Sequence, residues 1–132
     1  MTSEEIEKLF GVEYVGFKAQ AAIDKLLQEK QGHIKAAFWR EEIGNIDLVW
    51  GNFGFGLIHL IMERQKQGVD PVSFLSDLAE VIEKGQIVLV KENRFAIIYK
   101  GKKAVIAPNF RKKGKVIYNH PVLMTAYRTR LK

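Results

Sequence analysis

The sequence predicts an α+β fold, with helices in its N-terminal part and an antiparallel meander of strands in its last part. Helical spacing of apolar residues dominates the first part of the chain, and short strand-like runs separated by turns dominate the last part. The chain has 132 residues, of which 47% are hydrophobic and 27% charged, and this suits one globular domain with one core. We expect an N-terminal helical segment at 1–31 and an α+β core at 32–132 within one compact domain.

Two helical stretches are predicted before the first strand. Ser3 can cap a short turn of helix that ends at Gly11. A longer helix is expected at 17–30 and is ended by Gly32. Its apolar residues recur with helical spacing, and they are Ala19, Ala22, Ile23, Leu26 and Leu27.

The middle of the chain predicts two strands followed by two helices. The strands are expected at 33–40 and 46–50, with a turn at Gly44 and Asn45 between them. The helices are expected at 57–67 and from Asp70 to Gly85. Asp70 suits the N-cap of the second helix, because the proline that follows it fits the first helical position.

The last part of the chain predicts an antiparallel meander. Its strand candidates lie at 86–91, 94–100, 103–107 and 122–129. Short turns at Glu92–Asn93 and Gly101–Lys102 join the first three strands, and a longer basic connection spans 108–121. Because helices precede most of the strands, α+β is favoured over alternating βαβ units.

Positive charge is concentrated in the second half of the sequence. Residues 1–60 have a net charge of −3 and residues 61–132 a net charge of +9. From Lys84 onward there are 13 basic residues and one acidic residue, Glu92. This asymmetry favours a polyanion as partner, with RNA or DNA as the usual one. A basic surface that serves solubility alone is the alternative.

Several classes of function are excluded by composition. Cysteine is absent, which excludes disulfides, thiolate catalysis and cysteine-ligated zinc. The longest uncharged run, at 48–62, has 15 residues, fewer than the roughly 20 that a membrane helix needs. The N-terminus is acidic where a secretory signal would be basic. We predict no cofactor, no metal site and no membrane association.

A glycine-rich turn precedes the helix that carries His59. Gly51, Gly54 and Gly56 could present backbone N–H groups to a phosphate. Their spacing matches no phosphate-binding loop, so a flexible strand-to-helix turn is favoured. His59 lies in the first helical turn, where its imidazole could accept or return a proton. A core histidine bonded to the backbone is the alternative.

Two charged residues follow His59 on the same helix. Glu63 shares its face and could form a metal pair with it, but no further ligand motif is present, so an ion pair or a solvated carboxylate is favoured. Arg64 lies about 140° further round the helix. It could bind a phosphate at the edge of a cleft, although a solvated helix charge is favoured.

The final strand offers hydroxyl groups to a phosphodiester. Strand alternation puts Thr125 and Tyr127 on one face. Leu123 and Thr129 are expected on that face, and the opposite face is expected to hold Met124, Ala126, Arg128 and Arg130. The strand propensity of threonine and tyrosine explains the pattern equally well.

A basic loop precedes the final strand. It consists of Arg111, Lys112, Lys113, Gly114 and Lys115. Such a loop can follow phosphates without reading bases, and a solvated turn is the alternative. His33 and His120 are isolated in the sequence. We expect His120 to be exposed and assign neither histidine a role.

The segments GHIKAAFWREEIGNIDLVWG, GFGLIHLIMER and LMTAY carry a resemblance to a known family. Together with the hairpins between them, they resemble the phage-associated branch of the barnase, EndoU, colicin and RelE-like nucleases. In that branch a strand ending in IDLVWG leads through a glycine-rich turn to a histidine-bearing helix, and a terminal strand ends in a T-x-Y pattern. The resemblance covers the chain from Gly32 to Tyr127.

The resemblance implies a barnase-like or RelE-like nuclease architecture, with N-terminal helices packed on one face of a twisted antiparallel sheet and RNA on the other. It implies a small metal-independent ribonuclease, often a toxin module. It assigns His59 as the helix histidine and Thr125 and Tyr127 as the terminal-strand pair. Helices of the family often carry a second histidine shortly after the first, and Arg64 stands in that neighbourhood here.

We therefore predict an endoribonuclease that acts by 2′-hydroxyl transesterification. His59 is predicted to be the general base or acid, and Thr125 or Tyr127 to bind the phosphate. Arg64 and Arg94 are predicted to stabilise charge. The predicted RNA-binding residues are Arg94, Arg111, Lys112, Lys113, Lys115 and Arg128.

The predicted partner is RNA, with tRNA as one candidate. An acidic immunity or antitoxin protein could cover the basic surface. The chain is expected to act in the cytoplasm, or to be delivered into that of a target cell as part of a larger protein. Two alternatives stay open, an inactive RNA-binding module of the same fold and a phage structural or interaction domain.

Overall fold

The structure, a computed structural model, describes residues 10–52, 55–90, 94–112 and 114–129. Three helices lie within these ranges, α1 (Gln20–Glu29), α2 (Gly56–Lys66) and α3 (Pro71–Lys84). The first strands are β1 (Glu13–Tyr14), β2 (His33–Arg40), β3 (Gly44–Val49), β4 (Gln86–Val90) and β5 (Arg94–Tyr99). The remaining strands are β6 (Lys102–Ala107), β7 (Phe110–Lys112), β8 (Lys115–Tyr118) and β9 (Val122–Arg128).

Seven strands form one mixed sheet in the order β1-β2-β3-β9-β6-β5-β4, and β7 and β8 form a separate hairpin. Neighbouring strands are antiparallel except that β1 runs parallel to β2 and β3 runs parallel to β9. The prediction of a wholly antiparallel sheet is therefore wrong. Two helices and five strands separate β3 from β9 in the chain, and a crossover of such length allows a parallel pair.

The junction of β3 and β9 is short. Among the described residues the two strands pair at Asp47 with Val122, where the Asp47 N–H donates to the carbonyl of Pro121 at 2.8 Å. Helix α2 contacts both strands. The helix that carries His59 is therefore seated against the place where the two parts of the sheet meet.

All three helices share one core with alternate residues of the central strands. The helix residues include Ala22, Ile23 and Leu26 of α1, Leu57 and Leu60 of α2, and five apolar residues of α3. The strand residues include Ile97, Ala104, Ile106, Leu123 and Ala126. Residues that alternate with these along β5, β6 and β9 point to the opposite face of the sheet.

Most of the predicted helices and strands are confirmed, with ends shifted by up to three residues. The Asp70 carboxylate caps α3 as predicted, accepting from the N–H of Val72 at 3.1 Å. The turn between β2 and β3 lies at 41–43 rather than at Gly44 and Asn45, which begin β3. The second predicted hairpin turn lies at 100–101.

Two structural features were not predicted. Strand β1 precedes helix α1, and the connection predicted at 108–121 contains the β7–β8 hairpin. Both are short, and short strands carry little periodicity in the sequence. The predicted helical turn after Ser3 and the predicted turn at Glu92–Asn93 lie outside the described residues.

Candidate functional site

The glycine-rich turn is a close crossing of the backbone at the start of α2. Gly51 and Gly56 have positive φ angles of 79° and 89°, and a Cβ on Gly51 would overlap the carbonyl oxygen of Phe55. The N–H of Ile58 donates to the carbonyl of Trp50 at 3.0 Å. The glycines therefore serve a tight approach between strand and helix, and one N–H of the first helical turn is already bonded.

His59 lies in the first turn of α2 and is half-buried. The buried residues of this helix include its neighbours Leu57 and Leu60, and also Arg64. A histidine sealed in the core would be fully buried, so the partial exposure of His59 leaves its imidazole within reach of solvent.

Arg64 is buried, with 4% of its surface exposed, so the solvated position favoured from the sequence is wrong. Its Nη1 donates to the carbonyl of Ala126 in β9, and its Nε donates to Oε1 of Gln67 at 3.1 Å. Its guanidinium carbon lies 5.9 Å from the ring centroids of both Phe74 and Tyr127. Burial lowers the pKa of Arg64, and these contacts fasten α2 to β9.

Strand β9 contains a bulge that changes which residues share a face. The ladder with β6 shifts so that Met124 is an extra residue between Leu123 and Thr125. Leu123 and Ala126 consequently both belong to the main core. The predicted grouping of Leu123 with Thr125 is therefore wrong, because simple alternation does not survive a bulge.

Thr125 and Tyr127 lie on the sheet face opposite the main core, and both are half-buried. They alternate with Ala126, which is a core residue. Lys103 pairs with Tyr127 across β6 and β9, and its Nζ lies 5.8 Å from the centroid of the tyrosine ring. A cation and two hydroxyl groups thus share one surface.

The two predicted arginines of the sheet lie on different faces. Arg94, half-buried at the start of β5, alternates with Phe95, which packs against the main core. It is therefore on the face of Thr125. Arg128 is exposed, pairs with Lys102 and alternates with Tyr127, so it lies on the other face.

The remaining predicted cations belong to the β7–β8 hairpin. Arg111 and Lys115 are exposed, and Arg111 Nε donates to Asn109 Oδ1 at 3.2 Å. Lys112 pairs with Lys115 in the ladder, whereas Lys113 lies outside the described residues. Arg111, Lys112 and Lys115 of the predicted basic loop thus lie on strands β7 and β8.

A buried polar cluster that we did not predict lies beside this hairpin. Asp47 and Tyr118 are 3% and 2% exposed, and the Tyr118 hydroxyl donates to Oδ2 of Asp47. Lys35 Nζ lies 3.2 Å from the Tyr118 oxygen and 3.5 Å from Oδ2 of Asp47. The one signal in the sequence was a single carboxylate inside the apolar run IDLVW, since a buried carboxylate needs partners.

An aromatic cluster connects Tyr118 to the start of α2. The ring of Phe10 lies 4.6 Å from Tyr118 and 6.0 Å from Phe55, measured between centroids. Phe55 immediately precedes α2. His33, 2% exposed, packs edge-on against Phe10 at 5.7 Å, and its Nε2 lies 3.4 Å from Oε1 of Glu13.

The described part of the chain offers neither a metal-binding cluster nor a membrane-spanning helix. No three histidine, aspartate or glutamate residues there are grouped so that they could hold a metal ion. No helix in these ranges is long and apolar enough to cross a membrane.

Three helices with a large mixed sheet are compatible with an α+β nuclease fold. The sequence matches the phage-Barnase-EndoU-ColicinE5/D-RelE like nuclease1 family over residues 37–132. Because the match covers most of the chain, the protein belongs to this family, and the resemblance noted in the sequence is confirmed. No curated protein and no solved structure matches it. The family match begins inside β2, so β1 and α1 precede it.

Proposed function

We propose that the protein is a metal-independent endoribonuclease in which the ribose 2′-hydroxyl attacks the adjacent phosphorus. Membership of a nuclease family is the observation that carries this proposal. The reaction requires a base for the 2′-proton, an acid for the leaving 5′-oxygen and positive charge or hydrogen-bond donors around the phosphorus. His59 can perform one of the two proton transfers and solvent water the other, while hydroxyl groups and cations of the sheet face the phosphorus; the helix of His59 and strand β9 contact each other.

His59 is the proposed general base or acid. His59 is half-buried in the first turn of α2, and the same helix contacts β9. Arg64 fastens the later part of this helix to Ala126 of β9. Because proton transfer depends on a fixed geometry, this attachment supports a proton-transfer role for His59. Through this attachment Arg64 acts as a positioning residue. Its guanidinium carbon lies 5.9 Å from the centroid of the Tyr127 ring.

Thr125 and Tyr127 are the proposed hydrogen-bonding partners of the phosphate. Their side chains lie on the face opposite the main core, with Lys103 and Arg94 on the same face. These cations can offset the charge that develops on phosphorus. The exposed Arg111 and Lys115 of the hairpin extend the positive surface along which a strand of RNA can bind.

A toxin role follows from the same proposal. The chain carries a net charge of +6, and a protein that protects a cell from such a nuclease would be acidic to complement it. RNA in the cytoplasm, with tRNA as one candidate, is the proposed target. The chain reaches it as a free protein or as part of a larger one.

The test is digestion of total cellular RNA by the purified chain in excess chelator, followed by sequencing of the new ends. We expect cleavage with 2′,3′-cyclic or 3′-phosphate ends and no cleavage of the matching DNA. His59→Ala should lower the rate by at least about 100-fold. Glu63→Gln is the matched control, because it changes a half-buried residue one turn later on α2 and should keep nearly full activity.

Two results contradict the proposal. Unchanged cleavage by His59→Ala removes His59 from the mechanism. Binding of RNA that weakens with salt, without any cleavage product, identifies an inactive RNA-binding module instead. The presence of Arg64 favours this second alternative. Helices of the family often carry a second histidine, and a buried guanidinium cannot replace it as a base.

A further inference from the structure

Asp47 and Tyr118 form a buried hydrogen-bonded pair, and both carboxylate oxygens of Asp47 accept a hydrogen bond. Oδ2 of Asp47 accepts from the Tyr118 hydroxyl, and Oδ1 accepts from the N–H of Ala36 at 2.6 Å. Burying a carboxylate is costly unless it is paired with charge and hydrogen bonds. Lys35 provides the compensating charge, with its Nζ 3.5 Å from Oδ2.

Lys35 contacts this buried pair, and its side chain is also partly exposed to solvent. Its side chain is 30% exposed, whereas that of Asp47 is 4% exposed. An ammonium group has three N–H donors; one donates to the Tyr118 oxygen, and Asp47 lies within ion-pair distance. The carboxylate therefore faces inward and orients the ammonium, and the solvent side of Lys35 can receive an anion.

The backbone that carries Lys35 is bulged. The ladder between β2 and β3 shifts register between Ile34 and Phe38, and Ala36 has a φ of 52°, a left-handed conformation that costs a non-glycine residue about 1–2 kcal/mol. The carbonyl of Ala36 accepts from Lys18 Nζ at 2.8 Å. Bulges are over-represented next to functional sites, and the left-handed residue of this one directly follows Lys35.

His120 lies on the same tyrosine ring as Lys35. The centroids of its ring and that of Tyr118 are 5.2 Å apart, and His120 is exposed, as predicted. Lys35 Nζ lies 5.1 Å from the Tyr118 centroid. An ammonium and an imidazole, both able to donate hydrogen bonds, thus border the ring of the buried Tyr118.

We propose that Lys35 and His120 form a subsite that binds a phosphate of the RNA, with Tyr118 and Asp47 as positioning residues beneath them. The proposal rests on the proposed function for the identity of the ligand. The subsite would place the phosphodiester backbone on the β8 side of the sheet. The aromatic cluster of Phe10, Phe55 and Tyr118 extends from there to the start of α2.

The experiment measures binding separately from cleavage. A fluorescent 2′-O-methyl oligoribonucleotide lacks the attacking hydroxyl, so its affinity for the full chain can be measured by anisotropy over a series of salt concentrations. Lys35→Met should weaken binding and reduce the slope of log affinity against log salt by about 0.7, the value for one lost phosphate contact on a single strand. His120→Ala should weaken binding by about threefold to tenfold.

Lys25 offers a closely matched control. Its Nζ lies 3.4 Å from a carboxylate oxygen of Glu29 with its side chain 23% exposed, and 4.9 Å from the ring centroid of Tyr14. It therefore shares the ion pair, the ring contact and the exposure of Lys35, but it lies on α1. Lys25→Met should bind as the wild type does, and equal binding by Lys35→Met and Lys25→Met overturns the subsite.

A second variant keeps the test valid if Lys35→Met does not fold. Lys35→Met leaves the Asp47 charge without its cation, so Lys35→Met/Asp47→Asn removes both charges together, and the same reduced slope is expected. Binding without any cleavage would refute the nuclease and leave the subsite standing, whereas cleavage together with wild-type binding by the double variant would refute the subsite alone.

Discussion

The hydroxyl of Tyr118 on β8 donates to the carboxylate of Asp47 on β3, and the two residues are 71 positions apart in the chain. This contact joins the β7–β8 hairpin to the main sheet, beside the ring of Phe10. The hairpin carries the exposed cations Arg111 and Lys115. This buried polar contact therefore helps to hold the positive surface in position, together with the packing of Phe110 against Phe10 and Phe55.

The first prediction concerns alkaline pH. Burial, and then the bond to Asp47, raise the pKa of the Tyr118 phenol above its ordinary value of about 10. The folded state therefore favours the neutral phenol, so this contribution to stability is fully present below about pH 10 and is lost as the pH rises above it. We expect the free energy of unfolding, measured with urea, to fall above about pH 10.

Tyr118→Phe is the comparison for this experiment. It should lower the free energy of unfolding near neutral pH by about 1–3 kcal/mol, since Asp47 loses a donor, and it should show a weaker fall at alkaline pH. Absorbance near 295 nm reports tyrosinate, and the sequence has four tyrosines. Ionisation of all four before unfolding begins would contradict the prediction.

The second prediction tests the close crossing before α2. Gly51→Ala and Gly68→Ala both place a side chain at a positive φ, 79° and 74°. A Cβ at Gly51 would also overlap the Phe55 carbonyl, whereas none of the non-neighbouring atoms lies within 4 Å of one at Gly68. We expect Gly51→Ala to lose about 1–3 kcal/mol more than Gly68→Ala in chemical denaturation. Equal losses would mean that the crossing can relax.

Local signals predicted the helices and the meander well. The Asp70 cap and the apolar stripe of α3 involve residues within a few positions of one another, as do the alternating strands of the β4–β5–β6 meander. The parallel pairing of β3 with β9 depends on residues far apart in the chain. No pattern within a window of ten or so residues reports such a pairing, so the sheet order could not be obtained this way.

The residues of the candidate site divide in the same way: local patterns predicted some of them, and tertiary packing decided the others. Helical periodicity and the family resemblance were sufficient to place His59 in a first helical turn, and strand alternation placed Thr125 with Tyr127. Arg64 was misplaced because Glu63 and Lys66 beside it are typical of a solvated face. Only packing of α2 against β9 buries its guanidinium.

The third prediction concerns the segment before the family match. Helix α1 buries Ala22, Ile23 and Leu26 in the same cluster as the strands, although the match begins at residue 37. Leu26→Ala should therefore cost about 2–5 kcal/mol. A fragment of residues 32–132 should lack a cooperative thermal transition by circular dichroism. A fragment that melts like the full chain would show that α1 is dispensable for folding.

The fourth prediction separates a positioning role of Arg64 from direct phosphate contact. Arg64→Ala removes the bonds to Ala126 and Gln67 together with contacts to two rings, and it should cost about 2–4 kcal/mol. Lys66→Ala is the control, because its side chain is 69% exposed and its ion pair with Glu63 lies at the surface. Such a pair contributes at most about 1 kcal/mol.

Arg64→Lys provides the readout that stability alone cannot give. It keeps the positive charge but cannot reproduce both bonds of the guanidinium, so α2 should lose its fixed position on β9. We expect kcat for RNA cleavage to fall while the salt dependence of RNA affinity stays that of the wild type, because Arg64 is buried and its charge is not presented to the RNA backbone. A reduced salt dependence in Arg64→Ala, measured on the folded fraction, would instead place Arg64 in contact with the RNA.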